Sequence, residues 1–296
     1  MSVLILLIVS GLGVGGLYFL MASGLSLIFG LMRILSFAHG ALLTVCGFCT
    51  WKIMTAIASG GTTSSFLIAL ACAAVIGGGL AVALELTILR PLFGRELEQL
   101  LATVGVGFAV VALLQGIYGP NDNTVSLPSW LGSVTAVGGA RIPNDLFLII
   151  GAAVLVWCGI TVFLGVTRHG HIIRAGVQNR EMVEALGINV KRSFTLVFGL
   201  AGVAAGIAGS LAVTYYQTIN PETGTEVLIY AFIALIIGGL GSVTGAAVAA
   251  ALMGVVQILL NYYVGSGVGD AAVIVLLALT LVVRPQGLFG TRGITV

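Results

Sequence analysis

The chain has 296 residues, of which 59% are hydrophobic and only 7% charged, against the ~25% charged share usual in soluble domains. Its 12 basic and 10 acidic side chains cannot supply the polar surface of a soluble fold this size, so lipid must be the solvent around most of it. A net charge of +2 with no lysine–arginine cluster excludes a nucleic-acid partner.

A spanning helix needs ~20 apolar residues to cross ~30 Å of hydrocarbon at ~1.5 Å per residue. Continuous rather than alternating apolar runs point to helices and not to barrel strands. The sequence therefore predicts an all-α polytopic transmembrane bundle forming one domain over 1–296. Its spanning segments fall at about 3–28, 38–57, 66–89, 99–118, 146–167, 194–216, 226–240, 244–263 and 268–283. The weakest are 38–57, 226–240 and 268–283, so eight spans are the alternative to nine. The uncharged run 227–269 is long enough for two crossings, broken at Gly238, Gly239, Leu240, Gly241 and Ser242. No basic residue precedes Arg33, so the first stretch is expected to stay as a span and not to be removed as a signal peptide.

Nine spans with an outside N-terminus place Arg33, Arg90, Arg95, Arg168, Arg174, Arg180, Lys191, Arg192, Arg284 and Arg292 inside, and only Lys52 and Arg141 outside. That is a positive-inside bias, and it makes the C-terminus cytoplasmic. The main external loop is then 119–145, with Pro120, Pro128 and Pro143, and 218–225 is a shorter one. The main cytoplasmic loop is 168–192. Within it Asn179 is a good N-cap, Glu181 and Glu184 suit a helix N-terminal half, and Gly187 is a natural stop. The spacing predicts a two-turn helix over 180–186 with Met182, Val183 and Leu186 on one face. So short a helix needs a cytoplasmic partner surface.

Among the 43 glycines, small residues recur four apart at Gly11/Gly15, Gly202/Gly206 and Gly241/Gly245, a spacing that lets helices approach closely in lipid. Gly11, Gly13 and Gly16 also fit a dinucleotide fingerprint, but no acidic residue appears before Glu85, so the ribose partner is missing. Cys46 and Cys49 lie in an apolar span with no nearby base to activate a thiol. His39, His169 and His171 are too scattered for zinc. Neither lysine, Lys52 or Lys191, follows a glycine, so there is no Walker A motif and no P-loop ATP hydrolysis. No catalytic or metal site is expected.

The cytoplasmic loop carries a family resemblance. Arg174-Ala175-Gly176-Val177-Gln178-Asn179, followed by Ala185-Leu186-Gly187-Ile188-Asn189-Val190, resembles the loop of permeases in branched-chain amino acid ABC importers. Ser36-Phe37-Ala38-His39-Gly40 is similar to the family's N-F-A-H-G element, with Ser36 for Asn. Leu89-Arg90-Pro91-Leu92 and the stretch from Leu100 to Gln115 resemble its R-P-L and ATIG…LQ elements. Gly238-Gly239-Leu240-Gly241-Ser242-Val243-Thr244-Gly245-Ala246 resembles GGMGSVPGA with Thr244 for Pro, and Arg284-Pro285-Gln286-Gly287-Leu288-Phe289-Gly290 resembles the usual ending.

The resemblance implies the shorter permease type, with a type II-like fold, in the bacterial inner or plasma membrane. It implies a second related permease subunit, two cytoplasmic ATPases that hold the ATP and Mg, and an external solute-binding protein. The expected cargo is amino acids, branched-chain first, or small polar solutes such as amides or urea. The loop 168–192 becomes the ATPase-coupling region, carried by Arg174, Gln178, Asn179, Glu181, Met182, Ala185, Leu186 and Gly187.

Solute is expected to cross where two glycine-interrupted segments face each other, one with Ser36, Phe37, His39 and Gly40, the other with Gly238, Gly239, Gly241, Ser242 and Thr244. For His39 two readings stand: a pathway residue, or an interfacial histidine bonded to a backbone carbonyl. An ion-coupled secondary transporter is the alternative function, with Glu85 and Asp270 as its intramembrane carboxylates. An intramembrane enzyme lacks a convergent nucleophile and base.

Overall fold

Inside hydrocarbon every backbone N–H and C=O must find a partner within the protein. The computed structural model describes residues 2–32, 35–57, 62–178 and 190–290, with side chains for all of these but 31–32, 174, 176–178 and 190–191, and it meets that demand with helices. In order they are α1 Ser2–Met32, α2 Ala38–Ile57, α3 Thr63–Leu84, α4 Glu96–Tyr118, α5 Asn144–Val166, α6 Arg168–Gln178, α7 Val190–Tyr216, α8 Thr223–Gly238, α9 Val243–Tyr263 and α10 Val268–Val283.

Each of the nine predicted segments is a helix; α6, within the charged loop, has no apolar run to announce it. Six helices are long and apolar enough to cross a bilayer, namely α1, α3, α4, α5, α7 and α9. Helices α8 and α10 have 16 residues each, or ~24 Å at ~1.5 Å per residue, short of the ~30 Å of hydrocarbon. Helix α2 has 20 residues but includes His39 and Lys52, and lies outside that apolar set.

Small residues decide which helices touch. A methyl group on Gly11 would come within 2.5 Å of the Val255 Cα, and one on Gly15 within 2.5 Å of the Ala250 carbonyl oxygen. Helices α1 and α9 therefore cross antiparallel with backbones in contact. The same holds for α3 and α7, where a Cβ on Gly77 would collide with the Gly202 carbonyl and one on Gly206 with that of Ala73. Two of the predicted glycine pairs thus serve close packing. Helices α1 and α7 form the centre, with 56% and 72% of their apolar windows buried, against 11% for α4 and 17% for α5. Leu17, Leu20 and Met21 of α1 and Phe194 and Phe198 of α7 are buried in the one large apolar core. The outward faces of α4 and α5, with Phe108 and Leu155 more than 70% exposed, are suited to lipid.

Two short antiparallel ribbons stand at one end. Val134–Val137 (β2) pairs with Ala140–Pro143 (β3) through Gly138 and Gly139, whose φ values of 58° and 81° meet the demand of a two-residue hairpin turn. Ala140 and Ile142 from this hairpin, with Leu146 of α5, pack on Ile5, Leu6 and Val9 of α1. Asn123–Thr124 (β1) pairs with Thr218–Ile219 (β4). Gln217, at φ 57°, turns the chain out of α7 into that strand, and its carbonyl accepts from the Val125 N–H at 3.0 Å.

Candidate translocation pathway and coupling region

The segment before α2 is positioned by three helices. The Phe37 N–H donates to Thr103 Oγ1 of α4 at 3.3 Å, and the Phe37 ring lies 5.0 Å from that of Phe232 on α8. Thr44 accepts from the Gly224 N–H at 3.0 Å and donates to the Gly40 carbonyl at 3.2 Å. Its hydroxyl bridges α2 to the first turn of α8, where Gly40 and Gly224 meet backbone to backbone. Ser36 and His39 are buried, whereas Phe37 is 37% exposed. His39 Nε2 has no hydrogen-bond partner among the described residues. It points at α1, where a Cβ on Gly24 would come within 2.6 Å of it.

The second segment closes the other end of α8. Gly239 and Gly241 adopt φ values of 104° and 84°, a region open mainly to glycine, and so turn α8 into α9. Ser242 caps α9 by accepting from the Gly245 N–H at 3.0 Å. Gly238 and Gly245 are in backbone contact, and Gly241 lies against Gly30 of α1. Thr244 is exposed. The two segments thus pack at different levels of α8: Ser36 to Gly40 along its first half, Gly238 to Thr244 at its last turn.

The chain's final described residues complete that turn. The Leu288 N–H donates to the Ile237 carbonyl at 2.8 Å and the Phe289 N–H to the Gly238 carbonyl at 3.0 Å. Helix C-terminal carbonyls lack partners within their own helix, and here the segment after α10 supplies them. Gly287 and Gly290 both lie over Gly239 too closely for any Cβ.

The intramembrane carboxylates are differently held. Asp270 Oδ1 accepts from Tyr230 Oη at 2.9 Å and from Gln257 Nε2 at 2.5 Å. Gln257 Oε1 in turn accepts from Tyr18 Oη at 2.9 Å, and the Tyr18 and Tyr230 rings stack at 4.7 Å. This network joins α1, α8, α9 and α10. Glu85 is fully buried within the bundle. It opens a π turn, Glu85–Leu89, at the end of α3, and accepts from Thr195 Oγ1 of α7 at 3.0 Å. Gln99 Nε2 satisfies the Leu89 carbonyl at 3.0 Å. No tight turn or breaker residue within 85–89 marks this π turn in the sequence.

Of the coupling residues, Arg174 and Gln178 fall on α6, while Asn179, Glu181, Met182, Ala185, Leu186 and Gly187, with the predicted helix 180–186, lie outside the described residues. Helix α6 follows α5 through Thr167, which donates to the Phe163 carbonyl at 2.7 Å and accepts from the Gly170 N–H at 3.0 Å. A Cβ on Gly170 would come within 2.6 Å of the Leu164 Cα, so the turn needs a glycine there. Among the described residues no group of three His, Cys, Asp or Glu side chains could hold a metal ion.

A bundle of apolar helices, locked by glycine crossings and interrupted near both ends of a short central helix, defines a polytopic membrane permease. The chain belongs to the family described as the branched-chain amino acid transport system permease component, which it matches over residues 7–284. It is similar to the high-affinity branched-chain amino acid transport system permease protein LivH of Salmonella typhimurium, at 28% identity over 290 residues covering 95% of this chain and 94% of that protein. Similarity to LivH of Escherichia coli K12 is also 28%, over the same shares of both chains. The corresponding protein BraD of Pseudomonas aeruginosa is 29% identical, covering 96% of this chain and 94% of its own length. No solved structure matches the chain.

Proposed function

We propose that this chain is the membrane-spanning, non-catalytic subunit of an ATP-driven importer of amino acids, branched-chain ones first. The observation that carries this reading is similarity to LivH and BraD along nearly the whole chain, named in each case as branched-chain amino acid permeases. In the assembly we propose, a second related permease completes the pathway, and two cytoplasmic ABC ATPases bind ATP and Mg. An external binding protein delivers solute. The loop 168–192 couples to the ATPases, and residues 36–40 and 238–245 border the route. Asp270, already holding two hydrogen bonds, gives little support to the ion-coupled alternative.

The test is uptake into vesicles containing the permease pair, its ATPases and the binding protein. Leucine accumulation is expected to require internal ATP and to survive ionophores that abolish ion gradients. Accumulation driven by an ion gradient without ATP would overturn the reading. Orientation is tested separately, in a background lacking Cys46, Cys49, Cys72 and Cys158. The thiol of Ser126→Cys is expected to label only from outside and that of Glu184→Cys only from the cytoplasm, as the arginine distribution requires. Labelling of both from one side would refute the topology.

A further inference from the structure

Helices α3 and α7 run antiparallel along a seam of small residues, with Ala73 against Gly206 and Gly77 against Gly202. About two turns nearer the loop 168–192 the seam changes character. There Thr195 Oγ1 of α7 donates to Glu85 Oε2 of α3 at 3.0 Å. Glu85 is fully buried, and its Oε1 has no hydrogen-bond partner among the described residues. No basic side chain among them stands within ion-pair distance of it. Burying a carboxyl with so little compensation is costly, and an apolar side chain of similar volume would fill the space without that cost. Packing alone therefore does not account for Glu85.

An unbroken series of contacts leads away from it. The π turn Glu85–Leu89 closes through the Arg90 N–H, which donates to the Glu85 carbonyl at 2.7 Å; π turns inside helices are frequent at functional sites. The chain then reverses, with the Leu92 N–H donating to the Leu89 carbonyl and the Arg95 N–H to that of Leu92, both at 3.1 Å. Within this reversal the Phe93 ring meets Phe194 of α7 edge-on at 5.3 Å. Gln99, also buried, reaches back from α4 to the Leu89 carbonyl at 3.0 Å. One turn further along α4, Thr103 Oγ1 receives the Phe37 N–H. The stretch 85–103 thus holds the start of α7 at one end and the segment 36–40 at the other.

We infer that Glu85 is a positioning residue, which carries displacement of the loop 168–192 from Thr195 through the reversal at 89–95 and α4 to Phe37. Helix α7 continues that loop, so moving the loop moves Phe194 and Thr195. The seam at Gly77 and Gly202 cannot yield, because its neighbours are main chain. The bond at Glu85 instead hands the movement to the π turn. Packed side chains and hydrogen bonds of this kind are what couple distant sites. The role asks for an acceptor beneath the Thr195 hydroxyl and not for a charge. It rests on the coupling reading of 168–192 proposed above, and adds to it the residue that joins loop to pathway.

The complete importer, reconstituted with its ATPases and binding protein, tests it by leucine uptake and ATP hydrolysis measured on the same vesicles. Thr195→Val keeps the side chain's shape and removes its hydroxyl. This variant and Glu85→Leu are each expected to lower leucine uptake about tenfold, the weight of one buried hydrogen bond. Stimulation of hydrolysis by the binding protein is expected to fall with uptake, while complex yield and basal hydrolysis stay at wild type. More ATP is then hydrolysed per leucine, which a folding defect alone does not produce. Glu85→Gln, whose amide oxygen can accept from Thr195, is expected to retain most of the uptake. The double variant Glu85→Leu/Thr195→Val is expected to be no worse than either single one. Wild-type uptake by an assembled Thr195→Val complex would overturn the inference, as would a Glu85→Gln variant as defective as Glu85→Leu. If Glu85→Leu yields no complex, Thr195→Val decides by the same criterion. Leu186→Asp separates this inference from the reading beneath it. Full stimulation in that variant removes the coupling reading and the inference with it, whereas a defective Leu186→Asp beside a normal Thr195→Val removes the inference alone.

Discussion

A Gly77→Leu chain is expected to give no folded protein, while Gly79→Leu, two residues away on α3, is expected to behave as the wild type. A Cβ at position 77 would fall inside the carbonyl of Gly202 on α7, whereas nothing lies within 4 Å of one at position 79. Overpacking ordinarily costs about 1–3 kcal/mol when neighbouring side chains can shift. At Gly77 the obstacle is main chain, so α3 and α7 would have to separate along their whole crossing. Total stability is only ~5–15 kcal/mol, and the loss of that crossing uses most of it. At Gly79 the new side chain enters lipid and removes a glycine that costs a helix ~1 kcal/mol. Size-exclusion chromatography of fluorescent fusions in detergent measures both. A monodisperse Gly77→Leu peak would show that the two helices tolerate separation.

The second large effect concerns Leu186. Leu186→Asp is expected to insert normally but to lose stimulated ATPase activity and uptake, while Glu184→Ala retains both. The pattern over 180–186 places Leu186 beside Met182 and Val183 on the apolar face and Glu184 on the other. If that face is what an ATPase groove covers, an unpaired carboxylate buried there costs about 3–5 kcal/mol, which weakens docking by two to four orders of magnitude at ~1.4 kcal/mol per decade. Co-purification of the aspartate variant with a fully stimulated ATPase would place the coupling surface elsewhere.

Most of the helices were legible because each crossing needs an apolar run, and the few charges mark its ends. Helix α6 was not, since Arg168, His169 and His171 break the hydrophobic signal and its order comes from packing of Ile173 and the close turn at Gly170. Glycine counts announced close packing but could not separate Gly77 from Gly79, because which face meets a neighbour depends on helix rotation. Asp270 and Glu85 were visible as rare intramembrane acids; their partners Tyr18, Gln257 and Thr195 come from distant parts of the chain and left no local pattern. The coupling residues rest on the capping and apolar pattern of 179–187 and on motif resemblance, their geometry lying outside the described residues apart from the backbone of α6.

The closure of α8 by Leu288 and Phe289 has a bearing on how the protein is made. A ribosome delivers α1 first, yet the backbone that α1 packs against, at Ala250, Gly254 and Val255, emerges some 240 residues later, and the carbonyls of Ile237 and Gly238 gain their final partners later still. Early helices must therefore wait in the bilayer, individually inserted and loosely associated. The stretch after α10 then locks the turn between α8 and α9, so that a chain terminated before residue 287 would be left with that turn unlatched.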